Sequence, residues 1–326
     1  MNSKFILIIC VWFIACTPHQ KVAVILDTDI APDYDDVGAL AMLHAFADNG
    51  EANILATISC NAFETTAPTL DVLNTYFNRP EIPIGITKTA TPNEACRQEW
   101  AQFIIEKYPH TLKSNEGAQE AVSLYRSILS TQPDKSVTIV SVGFFTNLAS
   151  LLESDPDASS PLTGKELLLK KVKQLVSMAT RMDENTTSGH EFNVYVDPAS
   201  TRKVLAEWPT PIILSGFEIG AKILTGTRLI ADGHIQDSPV KDAFQVALTK
   251  DNNSVGRNSW DQTAVLIAVR GWKPYFGLRK VNFEIKDDGT NVLVPGENFM
   301  YLTEKRPPSE IAAIIEELMM HQPVKK

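Results

Sequence analysis

The sequence predicts an α/β fold, a single domain built on an open, mainly parallel sheet with helices on both faces. Three observations carry that prediction. Short apolar runs alternate with segments of helical apolar spacing, and such alternation implies a parallel sheet covered by helices. Val22–Leu26 is apolar along its whole length rather than at every second residue, the mark of a strand buried on both faces. Lys280–Thr303 instead alternates apolar and polar residues between two turn signals, which predicts an antiparallel hairpin appended to the core.

The elements follow in order. After the strand Val22–Leu26, a helix over Asp36–Ala47 places Val37, Leu40, Ala41, Leu43 and Ala47 at helical spacing. Asn53–Ser59 reads as a strand and Ala67–Phe77 as a helix. A strand at Val137–Val142 leads into a helix at Thr146–Glu153, and a strand at Val172–Met178 precedes a long loop. Asp155–Lys165, rich in Ser, Pro, Asp and Gly, is expected on the surface. Pro211–Leu214 and Gln262–Ala268 continue the alternation. The hairpin is expected to turn at Asp287-Asp288-Gly289 and again at Pro295-Gly296, and a helix over Ser309–His321 closes the chain. With no repeat, low-complexity tract or strong linker, residues 22–326 are expected to form one domain.

The first sixteen residues stand apart. One Lys precedes an apolar run from Phe5 to Ala15, far short of the roughly 20 residues that span a bilayer. That pattern reads as a secretory signal, followed by a short linker over residues 17–21. Ile14-Ala15-Cys16 resembles the lipobox of a bacterial lipoprotein, with Cys16 as the lipid-bearing mature N-terminus; a conventional cleaved signal is the alternative. Either reading takes the protein out of the cytoplasm, and the lipobox would anchor it to a membrane at a periplasm or cell surface. Cys60 and Cys96 then remain in the body, too few for a disulfide framework, and their pairing stays open. The net charge of −9 argues against a nucleic-acid partner, which calls for a basic face. Assembly into a homo-oligomer also stays open.

Asp27, Asp29, Asp33, Asp35 and Asp36 fall within ten residues directly after the first strand. Packed carboxylates near apolar structure must share protons or find a cation. Capping of the following helix accounts for Asp35 or Asp36, and leaves the others unexplained. Asp29, Asp35 and Asp36 suit a hard, oxygen-preferring cation such as Ca²⁺, although their spacing is not that of an EF-hand. In a parallel sheet, ligands bind beyond the carboxyl ends of the strands, where this cluster is expected.

At these residues the chain resembles the inosine–uridine nucleoside hydrolases. "DTDIAPDYDDVGAL" looks like their N-terminal signature, and four further stretches appear in the family's order. "TISCNA" supplies Asn61. "VSVGFFTNLASLL" places Val142 where the family lends a backbone carbonyl to its metal. "MATRMDENTTSGHEFNVYVDPAS" carries Met178, Asn185, Glu191 and Asn193, and "SWDQTAVL" carries Asp261. The resemblance implies a nucleoside hydrolase fold with a Rossmann-like core, and Ca²⁺ held by Asp29, Asp36, Asp261 and the Val142 carbonyl. It implies Asp29 as the base that activates water, with Asp35, Asn61, Met178, Asn185, Glu191 and Asn193 on the substrate. The implied reaction is calcium-dependent hydrolysis of N-glycosidic bonds in nucleosides or related ribosides.

Two departures bear on this. The acidic motif is longer than in the best-known members, so Asp33 is extra, and either Asp33 or Asp35 is left to meet the sugar. Those members also place a base-protonating His immediately before the late Asp, where this chain has Trp260. An indole gives no useful acid catalysis, but it can stack on a flat ring. His190 and Tyr195 are the candidates to replace that His. A riboside- or sugar-binding lipoprotein without efficient catalysis is therefore the alternative function. A haloacid-dehalogenase-type phosphatase also begins with Asp-Thr-Asp after a strand, but its pattern needs a Ser/Thr strand end, a Lys and a late acidic pair; Gly143 to Asn147 supplies no such sequence, and the late segment has the single Asp261.

Overall fold

The computed structural model describes residues 21–182 and 187–324. Its strands are β1 (Val22–Thr28), β2 (Ala52–Ser59), β3 (Ile84–Ile86), β4 (Gln119–Glu120), β5 (Val137–Ser141) and β6 (Val172–Met178), then β7 (Ser188–Gly189), β8 (Ile212–Ser215), β9 (Leu224–Thr225), β10 (Arg257–Asn258), β11 (Phe276–Ile285) and β12 (Asn291–Glu304). One sheet runs β11-β12-β8-β6-β5-β1-β2-β3-β4, with β7 paired to β12, while β9 and β10 form a separate ribbon. The pairings from β4 through β8 to β12 are parallel, and only those of β11 and β7 with β12 are antiparallel.

The strands are apolar throughout because both faces are covered. Val24 and Leu26 of β1 enter one core and Ile25 the other. The first core also holds the helices Asp35–Asp48, Thr66–Tyr76, Trp260–Arg270 and Pro308–Met319; the second holds Ala121–Thr131, Thr146–Glu153 and Gly164–Lys171. Asp35–Asp48 is buried from Asp35 to Phe46, so it lies inside the helical layer rather than on it. A Cβ on Gly38 would come within 2.5 Å of the Gln262 amide nitrogen. That bare position lets the two helices approach closely, and it brings their first turns, with Asp36 and Asp261, together.

The expected C-terminal antiparallel hairpin forms as β11 and β12 and is joined to the main sheet through β12. There β12 continues the parallel sheet by pairing Met300 with Ile213 and Tyr301 with Leu214. Pro295-Gly296 is not a turn. The partner of β11 passes from Val294 to Phe299, so residues 295–298 bulge out of a continuing strand. Among the described residues no helix is long and apolar enough to cross a membrane. The leader and Cys16 lie outside the described residues.

Strand order reverses at β1, with β2 to β4 on one side and β5, β6, β8 and β12 on the other. Such a switch point opens a crevice beyond the carboxyl ends of the strands.

Candidate active site

A cavity of about 190 Å³ occupies that crevice. Asp29 reaches it from the end of β1, Val142 from β5 and Met178 from β6, and Phe217 follows β8. Asp33, Asp35 and Asp36 come from the loop and first turn of the helix Asp35–Asp48, and Glu191, Phe192 and Asn193 from the segment after β7. Arg257, Trp260 and Asp261 complete the wall.

Carboxylates crowd the wall. Asp35, Asp36 and Asp261 are buried and offer oxygens that all lie within 4.8 Å of one another. Burial first, and then the charges of neighbouring aspartates, push Asp29, Asp36 and Asp261 well above the usual carboxylate range. Thr28 donates its hydroxyl to Asp36 Oδ1. Asp36 Oδ2 and Asp29 Oδ2 are buried with no hydrogen-bond partner. Buried polar atoms are rarely left so. Oxygen-only donors around orphaned carboxylates fit a hard cation of the Ca²⁺ type, which takes carboxylate and carbonyl ligands. The Val142 carbonyl lies at the same wall, where it accepts from Asn193 Nδ2 at 3.4 Å.

Asp35 also joins this cluster to an aromatic and cationic group. Arg257 donates from Nε (3.0 Å) and Nη2 (2.8 Å) to Asp35 Oδ1, and Nη2 is 2.6 Å from Asp33 Oδ1. Its guanidinium lies 4.9 Å from the Tyr34 ring and 4.8 Å from that of Trp260. Asp33 and Asp35 thus share one guanidinium, with Asp35 also accepting from the Asp261 N–H at 3.4 Å. Trp260 donates its indole N–H to the Phe217 carbonyl at 2.8 Å, and the two rings are 5.0 Å apart. The indole is held by that bond, so its side-chain N–H is committed within the protein.

Glu191 Oε1 accepts from the Asn193 N–H at 2.9 Å and Oε2 from Thr180 N–H at 3.2 Å. Burial nevertheless pushes its carboxyl up to about 8. Asn193 Nδ2 also donates to the Met178 carbonyl at 3.1 Å, tying Asn193 to the ends of β5 and β6.

Asn61 is fully buried and stands behind the cavity wall. Its amide donates to the carbonyls of Asp29 (3.1 Å) and Glu94 (2.8 Å) and accepts from the Glu94 N–H (2.9 Å) and Phe63 N–H (3.3 Å). The structure therefore does not bring Asn61 to the cavity surface; it pins the backbone of Asp29. Asn185 lies outside the described residues. His190 and Tyr195 stack on each other at 4.2 Å and do not line the cavity, and His190 is exposed. Cys60 and Cys96 are both buried and free, with the Cys60 thiol directed at the Thr28 carbonyl.

Sequence reasoning passed over Arg257, Phe217, Phe192 and Gly143. Arg257 lies only three residues before Trp260, but its pairing with Asp33 and Asp35 crosses more than two hundred residues. A Cβ on Gly143 would stand 2.5 Å from the Asp29 backbone nitrogen. Its place directly after Val142 was the one signal for it.

Residues 24–317 match the model of a family described as inosine-uridine preferring nucleoside hydrolase. An uncharacterised protein of Schizosaccharomyces pombe is 30% identical over 220 residues, covering 64% of this chain and 65% of that protein. A pyrimidine-specific ribonucleoside hydrolase, RihA of Escherichia coli O1:K1 / APEC, is 28% identical over 230 residues, covering 66% and 64%. The match thus spans just under two thirds of the length of these relatives. A purine-preferring ribonucleoside hydrolase from Gardnerella vaginalis superposes with a TM-score of 0.68 over 91% of this chain and 99% of its own, at 16% identity. That likeness speaks to the fold alone.

Proposed function

Since the chain belongs to the inosine–uridine preferring nucleoside hydrolase family, we propose that it hydrolyses the N-glycosidic bond of a nucleoside or related riboside. Asp29 is the general base in this reading, and Asp29, Asp36, Asp261 and the Val142 carbonyl hold Ca²⁺. The observation that carries it is the pair of orphaned oxygens, Asp29 Oδ2 and Asp36 Oδ2, in a wall that also contains Asp261. A bound divalent cation supplies positive charge that neutralises the cluster and makes a water easier to deprotonate.

The chain's own residues supply the rest. Asp29, fixed through its carbonyl by Asn61, accepts the proton of the attacking water. Asp35, Glu191 and Asn193, with Asn185, meet the sugar hydroxyls and orient the anomeric carbon. The surrounding carboxylates favour an oxocarbenium-like transition state. The relatives' described preferences run in opposite directions, pyrimidine in one and purine in another. Trp260, Phe217 and Phe192 offer aromatic faces, which support stacking on either kind of base. Export, with lipid attachment at Cys16, belongs to the same reading.

A second reading, riboside binding without turnover, is favoured by Trp260, whose only N–H donor is committed to Phe217. Incubation with purine and pyrimidine nucleosides separates the two. Hydrolysis releases free base and reducing sugar in equal amounts, and Asp29→Asn slows it by ~10²-fold or more. Saturable riboside binding with no released base would favour the binder.

A further inference from the structure

Six residues with carboxyl side chains line the cavity: Asp29, Asp33, Asp35, Asp36, Glu191 and Asp261. Arg257 is the one cationic side chain among the described residues that line it. If the cavity cleaves nucleosides, as proposed above, this imbalance acts oppositely on the two fragments. When the C–N bond breaks, its electron pair leaves with the base, and positive charge builds on the sugar. Carboxylates favour the sugar and oppose the departing anion. The base must therefore leave where positive charge is nearest, and that is beside Arg257, which stands against Asp33, Asp35 and the Trp260 ring.

We propose that Arg257 is a catalytic residue on the leaving-group side, hydrogen-bonding the departing base and stabilising the electron pair it carries away. Nε and Nη2 are committed to Asp35 and Asp33. Nη1 has no hydrogen-bond partner among the described residues, so it is left to meet a ligand. The guanidinium is held in place before any substrate arrives, by two carboxylates and by the rings of Tyr34 and Trp260. Preorganised donors aimed at developing charge cost no reorganisation during the reaction. Asp33 and Tyr34 thus acquire a purpose, since the long acidic loop brings both to Arg257.

The step balances without an acid. The pair of the C–N bond goes to the base nitrogen, water oxygen bonds the anomeric carbon, and Asp29 takes one water proton. Arg257 keeps its protons, and the released base anion is protonated by solvent.

The test compares nucleosides with 4-nitrophenyl β-ribofuranoside, whose leaving group departs without help. Arg257→Gln should lower kcat/KM on nucleosides by ~10²-fold or more, and on the nitrophenyl riboside far less. Arg257→Lys, which keeps a charge but loses the fork, should fall between. Because these variants leave Asp35 without its partner and can cost the fold, Asp33→Asn serves as the second variant. It loosens the guanidinium but keeps Asp35 paired, and should shift the ratio of the two rates in the same direction. Equal losses on both substrates, or an unchanged ratio in Asp33→Asn, would overturn the assignment and leave Arg257 as a partner of Asp35. Wild-type protein inert on both substrates would instead overturn the hydrolase reading, and this inference with it.

Discussion

Other residues hold the backbone of Asp29, the proposed base, in place. Asn61 bonds its carbonyl at 3.1 Å, and Gly143 passes so close that a Cβ would stand 2.5 Å from its nitrogen, 2.8 Å from its Cβ and 2.7 Å from the Cys60 sulfur. Two of those contacts are with residue 29 itself, so an added methyl cannot be absorbed by a rotamer change. Gly143→Ala should cost ~1–3 kcal/mol of stability, the usual range for overpacking, and weaken Ca²⁺ binding at the same time. Thermal unfolding and a calcium titration measure both; a variant that binds Ca²⁺ as the wild type does would sink this account of Gly143. Residues acting through their neighbours are those the sequence left least visible. The five aspartates announced themselves because like charges crowded into ten residues repel unless they share protons or a cation. Asn61 was legible as a site residue, yet its amide faces the backbone. Arg257 was silent, since a lone Arg before a Ser-Trp-Asp stretch gives no hint of two carboxylates more than two hundred positions earlier.

The helix Asp35–Asp48 shows how much one element carries. Its first turn delivers Asp35 and Asp36 to the cavity, where the positive helix end favours them. Its last turns bury His44, which stacks on Phe77 at 4.6 Å and bonds the Asn74 side-chain oxygen through Nε2 at 3.1 Å. Burial drives the His44 pKa from 6.5 down to about 3, so the ring is neutral in the fold. The unfolded chain binds this proton first. Stability from His44 is therefore complete above about pH 6.5 and is lost as pH falls toward 3, by up to ~1.4 kcal/mol per unit. His44→Leu should flatten the fall of Tm between pH 6.5 and 4.5 relative to the wild type, and parallel curves would contradict the assignment. Strands buried on both faces were legible because their apolar runs have no period to confuse. Pro295-Gly296 was not, because the same dipeptide serves a turn or a bulge. Which one forms depends on whether the partner strand continues, and here β11 does.

At the scale of the whole molecule, the site is a product of strand order. Asp29, Val142 and Met178 lie far apart in sequence and meet because β1, β5 and β6 are parallel neighbours ending at one edge. Alternation of strand and helix predicted that edge in general, and no local pattern could say that β1 lies at the reversal of strand order. The proposed lipid anchor also belongs to this scale. If Cys16 bears lipid, Cys16→Ser should move the protein from the membrane fraction to the soluble one, because several acyl chains anchor firmly where one holds marginally. An unchanged distribution would favour a conventional signal. The central claim is that the carboxylate cluster is a cation site serving hydrolysis. A cation that binds only the folded chain stabilises it, by ~2.7 kcal/mol at a hundredfold excess over Kd, but stabilisation alone does not establish function. The most direct measurement is a Ca²⁺ titration of chelator-stripped protein, followed by release of free base from a nucleoside. The account predicts that stripping abolishes release and that activity returns in step with Ca²⁺, saturating at one ion per chain. Activity that survives stripping undiminished would contradict it.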